Sequence, residues 1–283
     1  MSRLLTVLHV YYHDQIDYFI DKLANIGGVE WDFIVTYSTH SQEIEDKLKA
    51  FKRDVVMFKV ENIGYDVWPF IQVLKTIDFS KYDYVLKLHT KGKSEIKLNG
   101  LSLKGWGWRD MLVDSILKSK SRFAASLNIL EQDSNVGMVC SYELYKDLNN
   151  MMQRDVELLD GELKRISLTI NDAHFCAGTM FLARLSVFEA IKKIDFTSEL
   201  WGAESKSHVS CTLAHTYERI FGIMVLESGY RFERMMSSPL SSGLVYYKSN
   251  IDPIFKKIFT LDRDHQKGNK YLMLMGMKIN LPF

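Results

Sequence analysis

Only three cysteines occur in 283 residues, Cys140, Cys176 and Cys211, and no two stand at C-x-x-C or other zinc-ligand spacing. A disulfide framework is disfavoured and a reducing cytoplasm fits. Charge of one sign is lacking too: 36 Lys and Arg against 35 Asp and Glu leave a net charge of +1. No global basic field points to nucleic acid, so a partner recognised through phosphates needs a local basic cluster. No stretch reaches the roughly 18 to 20 apolar residues that span a bilayer. The apolar run in the N-terminal MSRLLTVLHVYYHD is too short for a signal peptide and carries His9. The expectation is a soluble cytoplasmic chain, at most peripheral at the inner face of the membrane. The GxxxxGK[ST] order of a P-loop and the glycine pattern of a Rossmann dehydrogenase are both missing. Without repeats, low-complexity tracts or a linker, one domain over 1–283 is the simpler reading.

Apolar residues make up 47% and charged residues 25%, enough for a sizeable core under a soluble surface. Leu4–Tyr12, Trp31–Tyr37, Val55–Val60 and Tyr82–His89 read as strands. Between them fall helical spacings: Ile16, Phe19, Ile20 and Leu23 behind an Asp14 N-cap, then Glu43–Phe51, then Ile71, Leu74 and Ile77. Alternation in the fourth strand puts Lys87 and His89 on one face and Leu86 and Leu88 on the other. This succession predicts an α/β fold with a mostly parallel central sheet flanked by helices. Further on, Lys91–Gly107 reads as a lysine-bearing loop and Trp108–Leu130 as one long amphipathic helix. Val136–Cys140 is a strand, and Phe175–Ala183 another, broken by Gly178. Thr212–Phe221 reads as a helix closed by Gly222 at C′.

Ligands of parallel α/β sheets bind beyond the carboxyl ends of the strands. Three segments fall there: Tyr11–Asp14, Asn62–Asp66 and His89–Ser94. Tyr11 or Tyr12 suits stacking on a base, Asp14 suits a base or ribose, and Asn62 and Asp66 suit sugar hydroxyls. The plain alternative is that Asp14 only caps a helix and Asp66 only starts one. Lys91, Lys93, Lys97 and Lys104 stand among glycines with Arg109 just beyond, a pattern that neutralises phosphates at close backbone approach. A solvated lysine loop is the alternative. His215, Glu218 and Arg219 share a helix at i,i+3 and i,i+4 spacing, fit for a general base, a metal ligand or a mere surface pair.

Five stretches in order resemble the rhamnan-synthesis F family and related bacterial galactofuranosyl- and rhamnosyltransferases. They are ENIGYDVWPF (Glu61–Phe70), YDYVLKLHTKGKS (Tyr82–Ser94), WGWRD (Trp106–Asp110), FCAGTMFLAR (Phe175–Arg184) and TLAHTYERIFG (Thr212–Gly222). The resemblance implies a GT-A-like (Rossmann-like) fold, with residues 1–110 binding a nucleotide sugar, 111–250 holding acceptor and catalytic groups, and 251–283 as an extension. It implies an inverting hexosyltransferase taking galactofuranose from UDP-galactofuranose, with rhamnose from dTDP-rhamnose as the alternative and a non-catalytic nucleotide- or carbohydrate-binding module as a further one. The acceptor implied is a growing, lipid-linked capsular or O-antigen polysaccharide.

Where such enzymes carry the Asp-x-Asp that holds Mn²⁺ or Mg²⁺, this chain has Lys87 and His89. The resemblance therefore implies metal-independent or only weakly metal-dependent transfer, with Lys91, Lys93 and Arg109 offsetting the diphosphate charge, and His89 as the ligand if Mn²⁺ or Mg²⁺ binds. Gly64, Tyr65 and Arg219 join the donor side, and His174, Cys176 and Gly178 the acceptor side. Glu218 is the first candidate base, then His215, with Glu204 and Asp172 in reserve. The tail Ile254–Phe283 mixes lysines with apolar residues and fits either peripheral membrane contact or packing on the domain.

Overall fold

The computed structural model describes residues 2–93, 95–98, 101–103, 105–148, 153–170, 174–198, 201 and 212–238, with strand residues 259–263, 270–274 and 277–280. Asp172, Glu204 and Lys104 lie outside the described residues, as does much of the C-terminal tail. The chain divides into two compact units, Met1–Gly92 with Arg109–Ser237, and Lys93–Trp108 with Ser238–Phe283.

The first unit is built on seven strands: β1 (Arg3–Val10), β2 (Glu30–Tyr37), β3 (Val56–Lys59), β4 (Tyr84–His89), β5 (Val136–Ser141), β6 (Phe181–Arg184) and β7 (Arg231–Met235). Their order is β7-β5-β6-β4-β1-β2-β3. Only β6 runs against its neighbours; β4, β1, β2 and β3 are parallel, as are β5 and β7. This is the mostly parallel α/β sheet flanked by helices that the sequence predicts. Central strands of such a sheet are buried on both faces, which is why RLLTVLHV and YVLKLH read as near-continuous apolar runs.

The helices are α1 (Ile16–Leu23), α2 (Gln42–Phe51), α3 (Val67–Thr76), α4 (Gly107–Leu117), α5 (Lys120–Gln132), α6 (Gln153–Arg165), α7 (Glu189–Lys193) and α8 (Leu213–Glu227). Phe70 of α3, Phe181 of β6, Phe188 and Phe221 of α8 form one aromatic core, with centroids 5.5 Å apart for Phe70–Phe188 and Phe188–Phe221. Each buried phenylalanine contributes about 1.5–3 kcal/mol.

Four local expectations are corrected. Asp14 does not cap a helix: it is exposed in a short 3-10 turn, and Gln15 precedes α1 without a side-chain cap bond. The long helix over 108–130 is two, because Ser119 is extended and its hydroxyl caps α5 by accepting Arg122 N–H at 3.2 Å. The lysine loop contains a hairpin, Ile96–Leu98 paired antiparallel with Leu101–Leu103 in the second unit. Gly222 does not end its helix. It is buried inside α8, where a Cβ would lie 2.0 Å from His174 O of the strand His174–Cys176. Gly229, at φ +77°, is the left-handed residue past the helix end. In the second unit Phe259–Arg263, Lys270–Leu274 and Met277–Asn280 form an antiparallel three-stranded sheet.

Candidate functional site

The first predicted segment meets the third at the carboxyl ends of β1 and β4. The backbone N–H groups of Tyr11 and Tyr12 both donate to Thr90 Oγ1, at 2.9 and 3.0 Å. Gln15 extends the seam: its Nε2 donates to Lys91 O at 2.7 Å, and its Oε1 accepts from Lys91 N and Arg109 Nη1, each at 3.2 Å. The Gly92 backbone passes close to the Tyr12 hydroxyl, which a Cβ there would approach to 2.6 Å. Both rings remain at the rim, Tyr11 half exposed and edge-on to Tyr12 at 4.9 Å.

The second segment meets β4 and β6 in a buried polar cluster. Lys87 Nζ, 1% exposed, donates to Asp66 Oδ2 at 2.5 Å, to Thr179 Oγ1 at 2.8 Å and to Thr179 O at 2.9 Å. Thr179 Oγ1 in turn donates to Asp66 Oδ2 at 2.5 Å. His89 Nδ1 is 3.2 Å from the same oxygen, too poorly aligned for a hydrogen bond. Beside His89 in register stands His9, whose Nδ1 is 3.0 Å from Thr36 Oγ1. The turn into β6 is strained to make this possible: Gly178 has φ +91° and Thr179 φ +47°. A β-branched residue rarely adopts that conformation. Here it aims both threonine oxygens at one ammonium, while Gly178 N–H donates to Glu218 Oε1 at 2.6 Å.

Burial alone would raise the Asp66 carboxyl, but the Lys87 ammonium bonded to it and the nearby Lys91 outweigh burial and hold the group well below the carboxylate range. Burial drives His89 well below its ordinary value and brings His9 down to about 4, so both rings are neutral at pH 7. Burial also lowers Lys91, against the pull of the Asp66 and Glu218 carboxylates that it lies between electrostatically.

The other predicted residues are placed as follows. Asn62 is exposed and Gly64 buried, its absent Cβ 2.6 Å from both Trp201 and Trp68. Tyr65 is exposed, edge-on to His215 at 5.8 Å. His215 Nδ1 is 2.7 Å from Thr212 Oγ1, so it pairs with its own helix cap and not with Glu218. Arg219 is spent within the fold, donating to His215 O at 2.7 Å with Asp155 3.8 Å away. Arg109 is buried, bonded to Asp110 at 2.8 Å and stacked 3.6 Å over Tyr18. Lys93 belongs to the second unit, 4.6 Å over the Trp106 ring. His174 stacks on Tyr145 at 4.8 Å, and buried Cys176 donates to Met180 O at 3.3 Å. Sequence reasoning missed Thr179, Thr90, Gln15 and Thr36. Thr90, Thr36 and Thr179 lie within two residues of a strand end, and Gln15 immediately precedes α1; position is their only signal.

Residues 1–230 match the model of the family described as rhamnan synthesis protein F. The chain belongs to that family. Two proteins described as uncharacterized protein WxcX, from two strains of Xanthomonas campestris pv. campestris, are 28% and 27% identical over 230 residues, 80% of this chain and 32% of theirs. The chain thus spans about a third of the length of the curated relatives it matches. Among solved structures, S. aureus TarS 1–349 in complex with UDP is 12% identical, covers 84% of this chain and 59% of its own, and has a TM-score of 0.45. Galactosyltransferase LgtC in complex with donor and acceptor sugar analogs is 12% identical, with 89% and 81% covered and a TM-score of 0.43. At these scores neither likeness transfers an activity to this family member.

At the end of β4 an ammonium lies against Asp66 Oδ2, and no group of three or more His, Cys, Asp or Glu among the described residues is arranged to hold a metal. No helix among the described residues is long and apolar enough to cross a membrane.

Proposed function

We propose that this chain binds a nucleotide sugar along the carboxyl edge of its parallel strands and transfers the sugar, with inversion, to a growing lipid-linked polysaccharide. The observation that supports this is convergence. Tyr11–Asp14 and His89–Gly92 meet through Thr90 at one sheet edge, Asp66 is tied to Lys87 of the same strand β4, and Glu218 approaches through Gly178. In this reading Tyr11 or Tyr12 stacks on the base, while Lys91 and the backbone at Gly92 face the diphosphate. Glu218 Oε1 is held by Gly178 N–H, and Oε2 takes the proton of the acceptor hydroxyl. The deprotonated acceptor oxygen bonds to the anomeric carbon as the bond to the diphosphate oxygen breaks, and the nucleoside diphosphate leaves with the electron pair. Lys91 offsets the charge that develops. Lys87 holds Asp66 and Thr179 in place and does not reach the ligand.

The donor this reading favours is dTDP-rhamnose, because rhamnan synthesis describes the family; UDP-galactofuranose comes second. Release of dTDP and of UDP by the purified chain is the test, with methyl α-L-rhamnopyranoside as a surrogate acceptor. Glu218→Gln should lower release on the order of a hundredfold or more and leave nucleotide affinity unchanged. Equal release by Glu218→Gln and wild type would remove Glu218 as the base. The second reading is a module that binds without turnover, favoured by the missing carboxylate pair at the end of β4. It predicts nucleotide binding with no release from either donor.

A further inference from the structure

Tyr65 stands out among the described residues as a large apolar side chain that is 52% exposed and also carries a left-handed backbone, φ +52°. An aromatic residue takes that conformation only where its surroundings over-determine it, and such strain gathers at ligand sites. Both neighbours do the determining. Gly64, at φ +61°, lies against Trp68 and Trp201, and its carbonyl accepts the N–H groups of Val67 and Trp68 at 3.2 Å, closing the start of α3. Asp66 points inward to Lys87 and Thr179. With one neighbour locked into the tryptophan stack and the other into the ion pair, the Tyr65 ring is turned out to the rim.

What stands at that rim is specific. The Tyr65 ring meets His215 edge-on at 5.8 Å. The Thr212 hydroxyl takes up Nδ1 of His215, which leaves Nε2 for another group. One helical turn further along α8, Glu218 gives Oε1 to Gly178 and keeps Oε2. A flat aromatic face beside an imidazole nitrogen, with a carboxylate oxygen one helical turn further along α8, matches a pyranose: axial C–H groups lie on the ring, and hydroxyls bond the two polar atoms.

We infer that Tyr65 and His215 form the seat of a pyranose ring beside Glu218. The seat rests on the transferase reading for its place in a reaction, and on the geometry alone for its existence. Two sources could fill it, the acceptor's terminal sugar or the sugar of the donor.

Saturation-transfer NMR with methyl α-L-rhamnopyranoside at millimolar concentration tests it on wild type, Tyr65→Phe, Tyr65→Ala and His215→Ala, each checked for native circular dichroism. Tyr65→Phe should keep the transfer, and Tyr65→Ala should weaken it about five- to tenfold, as loss of one stacked ring implies. His215→Ala should weaken transfer at the hydroxyl-bearing positions. Adding dTDP-rhamnose separates the sources: glycoside signal that persists marks an acceptor seat, and signal that dTDP-rhamnose removes but dTDP does not marks a donor-sugar seat. Undiminished transfer in Tyr65→Ala, or none in wild type, overturns the inference. A chain that binds the glycoside through Tyr65 but no nucleotide would refute the transferase reading and leave the seat standing.

Discussion

Lys87→Met is the sharpest perturbation of the cluster. Methionine fills similar space but removes the ammonium that holds Asp66 Oδ2 and both oxygens of Thr179. The side chain is 1% exposed, so solvent cannot replace it. Breaking a buried ion pair from one side costs about 3–5 kcal/mol, because the remaining charge is stranded. The Thr179 turn, already strained, would lose the bonds that hold it. Against a typical total of about 5–15 kcal/mol, that loss is a fifth of the stability or more. Replacing both charges tests whether stranding is the cause: Asp66→Asn/Lys87→Met leaves no charge, and should recover more than half of the loss. Urea titration followed by circular dichroism gives both numbers, the single variant losing about 1 M or more in midpoint. A Lys87→Met protein within about 1 kcal/mol of wild type would show that the ion pair does not carry this turn. A double variant no more stable than the single one would show that shape, not charge, is lost.

Acid should destabilise the fold well above the carboxylate range. The folded pKa of His9 is depressed from 6.5 to about 4 by burial, so its contribution is present above pH 6.5 and is lost as pH falls towards 4. That drop corresponds to about 3 kcal/mol at roughly 1.4 kcal/mol per pH unit. His89 acts in the same direction. Urea midpoints at pH 7 and pH 4.5 should differ accordingly, and His9→Asn should flatten the difference; parallel slopes would count against it. Gly222→Ala forces a methyl to 2.0 Å from a backbone oxygen that no rotamer can clear, and should cost about 3 kcal/mol or more in the same titration. A neutral Gly222→Ala would mean that α8 and the His174–Cys176 strand are not in contact.

The sheet was legible because its central strands announce themselves: Leu4–Tyr12 is a mostly apolar run, and Tyr82–His89 alternates aromatic and aliphatic residues with Asp83, Val85, Lys87 and His89. The helix break at Ser119 and the reach of α8 past Gly222 were not, since both depend on what a single small residue touches. At the site, sequence order brought out Asp66, Lys87, His89 and Glu218 as chemistry-bearing residues but not whom each one faces. Asp66 and Lys87 read as ligand groups and are partners of each other. Thr179 gave no signal, because an unremarkable threonine becomes the hub only once β6 is laid antiparallel beside β4.

That late insertion of β6 has a consequence for how the chain is made. On the ribosome β1 to β4 emerge first, and β6 follows about 90 residues after β4, roughly 5–20 s later at ordinary elongation rates. For that interval the outer edge of β4 is open, a strand edge of the kind that pairs with other chains. Lys87 then sits unsealed in the middle of that edge strand, an inward-pointing charge of the sort that discourages such pairing. The ammonium that later locks the turn would first guard the half-made sheet. Nascent chains stalled between residues 95 and 180 should therefore aggregate more readily when they carry Lys87→Met.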